Sequence, residues 1–165
     1  MKTNEIEQAL ASHFILSNNH SIVIQNCFWN SWKEADVLAI KDKSNFVVEI
    51  EVKNSLNDYR QKFRRKQNKH FRLSVCQGAE NSYNLPNYFY FAMTADLAKK
   101  VEIPEYSGLI IVSEASIKIK RKAPLLHRRP IQQKPLFKIL RTFSECEALG
   151  CAKLTYKNRQ LEAKK

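Results

Sequence analysis

The sequence predicts an α/β domain, a mixed central sheet flanked by helices, and three observations carry that prediction. Residues 34–53 hold two β-branched runs around the turn-rich pentapeptide 41–45, which is the pattern of a β-hairpin. Residues 5–18 and 56–73 repeat apolar side chains at helical spacing. The continuous apolar runs 88–93 and 108–112 have the length and character of strands buried on both faces.

The first helix spans 5–18, where Ile6, Leu10, His13 or Phe14, and Ser17 recur about one turn apart. Residues 21–29 follow as a strand, and the polar Gln25 and Asn26 within it imply partial burial. The hairpin comes next. Ser55 followed by Asp58 is a capping signal, so a helix starts directly after the second hairpin strand. Along it Leu56, Tyr59, Phe63, His70 and Leu73 fall near one stripe, and Lys62, Arg65, Lys66, Lys69 and Arg72 on another. Residues 77–87, rich in Gly, Asn, Ser and Pro, form a loop. A short helix or turn at 95–101 joins the two apolar strands. Residues 116–123 alternate Ile117 and Ile119 with Lys118 and Lys120, as a strand with one wet face does. Pro124, Pro130 and Pro135 interrupt regular structure, and 136–150 is a helix ending at Gly150. With no internal repeat or low-complexity linker, the chain reads as a single domain over 1–150 and a polar C-terminal tail over 151–165.

The hairpin register points to chemistry. If 42–45 form the loop, Lys41 pairs with Phe46; carried outward, that register sets Asp36 opposite Glu51 and Glu34 opposite Lys53, all on one face. Facing residues have Cβ atoms about 4.5–5.5 Å apart, and like charges held there repel unless something positive lies between them. A divalent cation fits: carboxylate oxygens suit Mg²⁺ or Mn²⁺, with phosphate and water filling the remaining positions. Lys53, on the same face as Glu51, then orients or deprotonates an attacking water, or stabilises charge on a phosphate. Glu49 shares that face, one step further from the strand end. Acids alternating with apolar residues are also ordinary on a solvent-facing sheet, and Glu-x-Lys alone is a short motif. The surrounding segments decide between these readings.

Those segments are EADVLAI (34–40), VVEIEVKNSLNDY (47–59), the lysine-rich stretch ending KQNKH (66–70), PNYFYFAM (86–93), PEYSGLIIV (104–112) and KAPLLHRRP (122–130). Together they resemble the PD-(D/E)xK nuclease superfamily, and more closely its MmcB-like branch of small bacterial and phage proteins associated with DNA repair. The resemblance covers most of residues 4–130. It departs at Ala35, where many members have proline before the aspartate, a position that varies across the superfamily. The resemblance implies a restriction-endonuclease-like core of order αβββαβ. It also implies Mg²⁺- or Mn²⁺-assisted hydrolysis of DNA phosphodiester bonds, in repair, recombination or phage DNA processing. Its motif maps onto Asp36, Glu51 and Lys53, with the Val52 carbonyl as a metal ligand beside the two acids. Members often add a glutamate from the first helix. Here Glu5 and Glu7 compete; they lie about 200° apart, so at most one points at the hairpin, and Glu5 is preferred. Both also suit the first turn of a helix, near its positive end. Many nucleases of the superfamily act as dimers, which leaves room for a homodimer here.

Composition agrees with a DNA partner. The 44% hydrophobic content of the 165 residues suffices for a core, and the net charge is +12. Residues 59–79 hold seven Lys/Arg and no acid, and 115–144 hold nine and no acid. Sixteen of the 28 basic residues therefore lie in two acid-free stretches, as expected of a footprint on phosphates. Lys62, Arg65, Lys66 and Lys69, with Arg128 and Arg129, are the expected grip on the backbone. His70 reads as a helix histidine packed on the sheet, and His127 as either a phosphate contact or a loop-packing residue. The aromatic run 88–91 fits core better than a base-stacking platform. Cys27, Cys76, Cys146 and Cys151 lack the spacing of a zinc site, and no signal peptide precedes them. Reduced thiols in a cytoplasmic bacterial or phage protein are the expectation. No apolar stretch is long enough to span a membrane. Two other classes compete with the nuclease: a non-catalytic DNA-binding accessory protein of the same fold, and a basic RNA-binding or protein-interaction module whose acids pair internally with Lys53.

Overall fold

The computed structural model describes residues 1–17, 19–27, 29, 35–65, 67–76, 85–132, 135–137 and 141, with backbone alone for 62–65. The chain divides into two compact units, Met1–Ile131 and Gln132–Lys165. In the second, residues 135–137 are helical and the Leu136 N–H bonds to the Gln132 carbonyl. The helix expected over 136–150 otherwise lies outside the described residues, as do the tail, Cys146 and Cys151.

The first unit is an α/β fold. Its elements run α1 (Thr3–Leu16), β1 (His20–Cys27), β2 (Ala35–Lys41), β3 (Val47–Val52), α2 (Leu56–Arg65), α3 (Gln67–Val75), β4 (Tyr88–Met93), α4 (Ala95–Ala98), β5 (Gly108–Val112) and β6 (Ile117–Arg121). The six strands form one mixed sheet in sequence order. β1, β2 and β3 are an antiparallel meander, β4 and β5 join in parallel, and β6 returns antiparallel. The parallel step from β3 to β4 needs a long crossover, and α2 and α3 provide it.

Local chemistry sets the boundaries. Glu5 accepts the Lys2 N–H at 2.7 Å, starting α1, and the Ser17 N–H closes it on His13 O. Between β2 and β3 the chain turns over Asp42–Asn45. The Lys41 N–H bonds to Phe46 O, and the turn ends on Asn45 at φ 52°, a left-handed conformation that asparagine tolerates well. The Ser55 hydroxyl accepts the Asp58 N–H at 3.1 Å, capping α2 as the sequence predicts. Gly108 lies opposite Tyr90, and a Cβ there would come within 2.3 Å of the Tyr90 ring and 2.6 Å of the Ala123 nitrogen. Only glycine lets the aromatic lie across β5.

Alternation along the strands separates two cores. Ile6, Leu10 and Phe14 of α1 cover Val37, Ala39, Val48, Ile50, Val52, Tyr90 and Ala92. On the other face Tyr59 and Leu73 pack with Phe89, Phe91, Met93, Leu97, Tyr106 and Leu126. One expectation fails at the sheet edge: Ile119, predicted on the dry face of β6, is 47% exposed. It lies at the mouth of a cavity rather than over packed side chains. Among the described residues no helix is long and apolar enough to cross a membrane.

Candidate active site

The predicted hairpin register is the one observed between β2 and β3, while Glu34, expected opposite Lys53, lies outside the described residues. Val37 faces Ile50, Leu38 faces Glu49 and Ile40 faces Val47, so the next step outward sets Asp36 against Glu51. Successive strand N–H groups point to opposite neighbours. The Lys53 N–H goes to Ala92 O in β4, so that of Val52 faces β2. There the Asp36 carboxylate accepts it, Oδ2 to N 2.7 Å, in place of a backbone carbonyl. The Val52 carbonyl, pointing to the same side as its own N–H, faces the Asp36 end of β2 as well.

Glu49 and Glu51 alternate with core residues of β3, which puts both carboxylates on the face crossed by α3. Both are 1% exposed. Lys53 is completely buried, and its ammonium donates to Glu51 Oε1 at 2.7 Å. Lys69 reaches in from α3: its ammonium donates to Glu49 Oε1 and lies 3.5 Å from Glu51 Oε2. The indole N–H of Trp29 holds the other oxygen of Glu49 at 3.2 Å. Phe89 and Phe91, paired in register with Glu49 and Glu51, form the floor, with Lys69 Nζ 5.1 Å and Lys53 Nζ 5.7 Å from their ring centroids. Three acids and two ammonium groups thus meet inside the protein. Burial works against charge on Lys69, but Glu49, then Glu51, the Glu49 hydrogen bond and Asp36 outweigh it and raise its pKa. Behind the cluster, Tyr106 Oη lies 2.9 Å from His70 Nδ1. Burial, then Tyr59 and Glu51, push the Tyr106 pKa up, which keeps the phenol protonated.

Two sequence expectations need correction. Glu5 is exposed and spent on capping its own helix, whereas Glu7 is 7% exposed and accepts from Asn26 Nδ2 at 3.3 Å. Continuing the β1–β2 register places Asn26, at φ 50°, opposite Asp36. The signal was available: at about 100° per residue, Glu7 falls about 20° from Phe14 on the buried stripe, while Glu5 lies on the far side of Ile6. Lys69 is the second correction. Expected on a solvent-facing basic stripe, it is 6% exposed and held by carboxylates, so it is not available to a DNA backbone.

The remaining predicted contacts are not gathered at this site. Arg128 is exposed and Arg129 half-buried, on a segment tied to the start of β3 by Asn87, which accepts the Val47 N–H and donates to His127 O and Arg129 O. That is the opposite end of β3 from Lys53. His127 is buried with Nε2 at 2.9 Å from Leu85 O, a loop-packing role, and His70 packs on Phe91. Lys62 and Arg65 lie within α2; their side chains, and Lys66, fall outside the described residues. Cys27 and Cys76 are buried. Among the described residues no group of three His, Cys, Asp or Glu side chains is arranged to hold a metal ion.

No protein-family model matches the chain, and no curated protein matches it. Among solved structures, it is similar to the SPO1766 protein of unknown function from Silicibacter pomeroyi. The TM-score is 0.63 at 15% identity, over 94% of this chain and 92% of the other. At that identity the likeness is one of fold.

Proposed function

We propose that the chain is a metal-dependent deoxyribonuclease with a restriction-endonuclease-like core. The observation that carries the reading is the convergence of Asp36, Glu51 and Lys53 at one end of the β2–β3 hairpin, with Asp36 facing Glu51 in register and Lys53 bonded to Glu51. The element order supports it: a helix, three antiparallel strands, a helical crossover and a strand parallel to the third.

The donor set fits a hard divalent ion. Asp36 and Glu51 with the Val52 carbonyl are all oxygen donors, and Mg²⁺ commonly needs only one or two carboxylates from the protein. The buried ammonium groups around them show that this pocket accommodates positive charge. When bound, Mg²⁺ or Mn²⁺ would supply Lewis-acid stabilisation of charge on a scissile phosphate. The chain's own residues would do the rest. Lys53, steered by Glu51, orients the attacking water and answers negative charge on the phosphate. Lys69 neutralises Glu49, Trp29 fixes that carboxylate from behind, and the phenylalanine floor keeps bulk water out. Lys62, Arg65 and Lys66, on the crossover that follows Lys53, are the proposed backbone contacts.

Incubation with labelled single-stranded, duplex and branched DNA in Mg²⁺, Mn²⁺ or EDTA tests this. Strand breaks that need metal support it, and binding without breaks on every substrate overturns it. A second reading takes its support from the same cluster: each of Glu49 and Glu51 already meets an ammonium group. In that reading the network is structural, and the protein is a non-catalytic DNA-binding accessory protein.

A further inference from the structure

Lys69 stands on the ground where a metal ion would have to arrive. Its ammonium comes in from α3 to the two acids of β3: it donates to Glu49 Oε1 and lies 3.5 Å from Glu51 Oε2, while Lys53 holds Glu51 Oε1 at 2.7 Å. Both oxygens of Glu51 are thus faced by cations of the chain itself. Asp36 acts on the same ammonium. Burial opposes the charge of Lys69, and Glu49, Glu51 and, less strongly, Asp36 raise its pKa against that opposition.

The two contacts of Lys69 are unequal. A charge-assisted N–H bond to a carboxylate spans about 2.7–2.9 Å, so Glu51, at 3.5 Å, is the looser partner and Glu49 the tighter. Glu49 is also a fixed point. The Trp29 indole N–H holds its other oxygen at 3.2 Å, and the ring of Phe89, which faces Glu49 in register, lies 5.1 Å from the ammonium. His70 and Leu73, buried on the same helix, pin α3 to the sheet. The lysine stem is flexible, so leaving Glu51 requires a swing of one side chain about Glu49 and no movement of the helix.

We propose that Lys69 is a built-in competitor for the metal ion: before metal binds, its ammonium neutralises Glu51, and when metal binds it withdraws onto Glu49, which Trp29 and Phe89 keep in place to receive it. The inference rests on the reading of Asp36 and Glu51 as metal ligands. Lys53 stays on the other oxygen of Glu51, where the proposed reaction needs it. Lys69 therefore sets the metal affinity, because an ion that binds only the withdrawn arrangement has its affinity reduced by the fraction of molecules already in it.

Titration of the full chain with Mn²⁺, following the free ion by electron paramagnetic resonance, tests this in wild type, Glu51→Gln, Lys69→Met, Glu49→Gln and the double variant Glu49→Gln/Lys69→Met, each checked for folding by its urea transition. With about a tenth of wild-type molecules withdrawn, removing Lys69 should tighten Mn²⁺ binding about tenfold. The double variant has the net charge of wild type and should keep that gain, which a purely structural or purely electrostatic role of Lys69 would not produce. It also keeps the test open if Lys69→Met alone does not fold. Glu49→Gln takes away the receiving carboxylate and should weaken binding about tenfold, and Glu51→Gln should abolish it. Mn²⁺ binding that depends on Glu51 but is no tighter in the double variant than in wild type overturns the inference and leaves the metal-site reading standing; no Mn²⁺ binding in any form overturns both.

Discussion

Lys69 shows how far a residue's role depends on what faces it. On the sequence it is one of seven basic residues in an acid-free stretch; in the fold it is the buried counter-ion of Glu49 and a neighbour of Glu51. Removing one partner of a buried pair strands the other charge, so Lys69→Met should lower stability by about 3–5 kcal/mol in urea denaturation. Glu49→Gln combined with Lys69→Met should recover much of that loss. The pH dependence follows from the raised pKa of Lys69. A lysine stabilised in the folded state contributes fully below its ordinary value of 10.5 and loses that contribution as pH rises through the higher folded-state value. The stability gap between wild type and Lys69→Met should therefore persist at pH 8 and close at strongly alkaline pH. Nothing in a single chain of letters separates this lysine from a solvated one. By contrast, the burial of Glu7 was legible from its place beside Phe14 on the helical wheel.

At the scale of elements, the hairpin was the most legible part of the fold. Period-two alternation and a four-residue turn leave one register that buries the apolar side chains of both strands, and the pairing of Leu38 with Glu49 is that register. The destination of Arg128 and Arg129 was not legible, because Asn87 and Asn45, far off in sequence, decide which end of β3 receives them. The wet face of β6 was half legible: alternation located the strand but not the cavity at Ile119. Two substitutions check the elements themselves. Gly108→Ala forces a Cβ against Tyr90 and Ala123 and should destabilise the chain by about 1–3 kcal/mol in thermal or urea melts. Asn45→Val places a β-branched residue at φ 52° and should destabilise it by about 1–2 kcal/mol, whereas Asn45→Gly should be nearly neutral.

At the scale of the whole molecule, a net charge of +12 frames a cluster of buried acids. Long-range attraction of a polyanion and a local negative pocket are compatible, since the first acts through solvent and the second only at contact. With the three proposed backbone contacts, DNA affinity should fall about 40-fold between 50 and 200 mM salt. The dependence should be the same in Glu51→Gln, which leaves the outward-facing charges untouched. The most direct test of the account is single-turnover cleavage of labelled DNA in Mn²⁺ by wild type and Glu51→Gln, with affinity measured on the same samples. Metal-dependent cleavage that disappears in the variant at unchanged affinity is the expected result; wild type that binds without cutting, or a variant that cuts as wild type does, would contradict it.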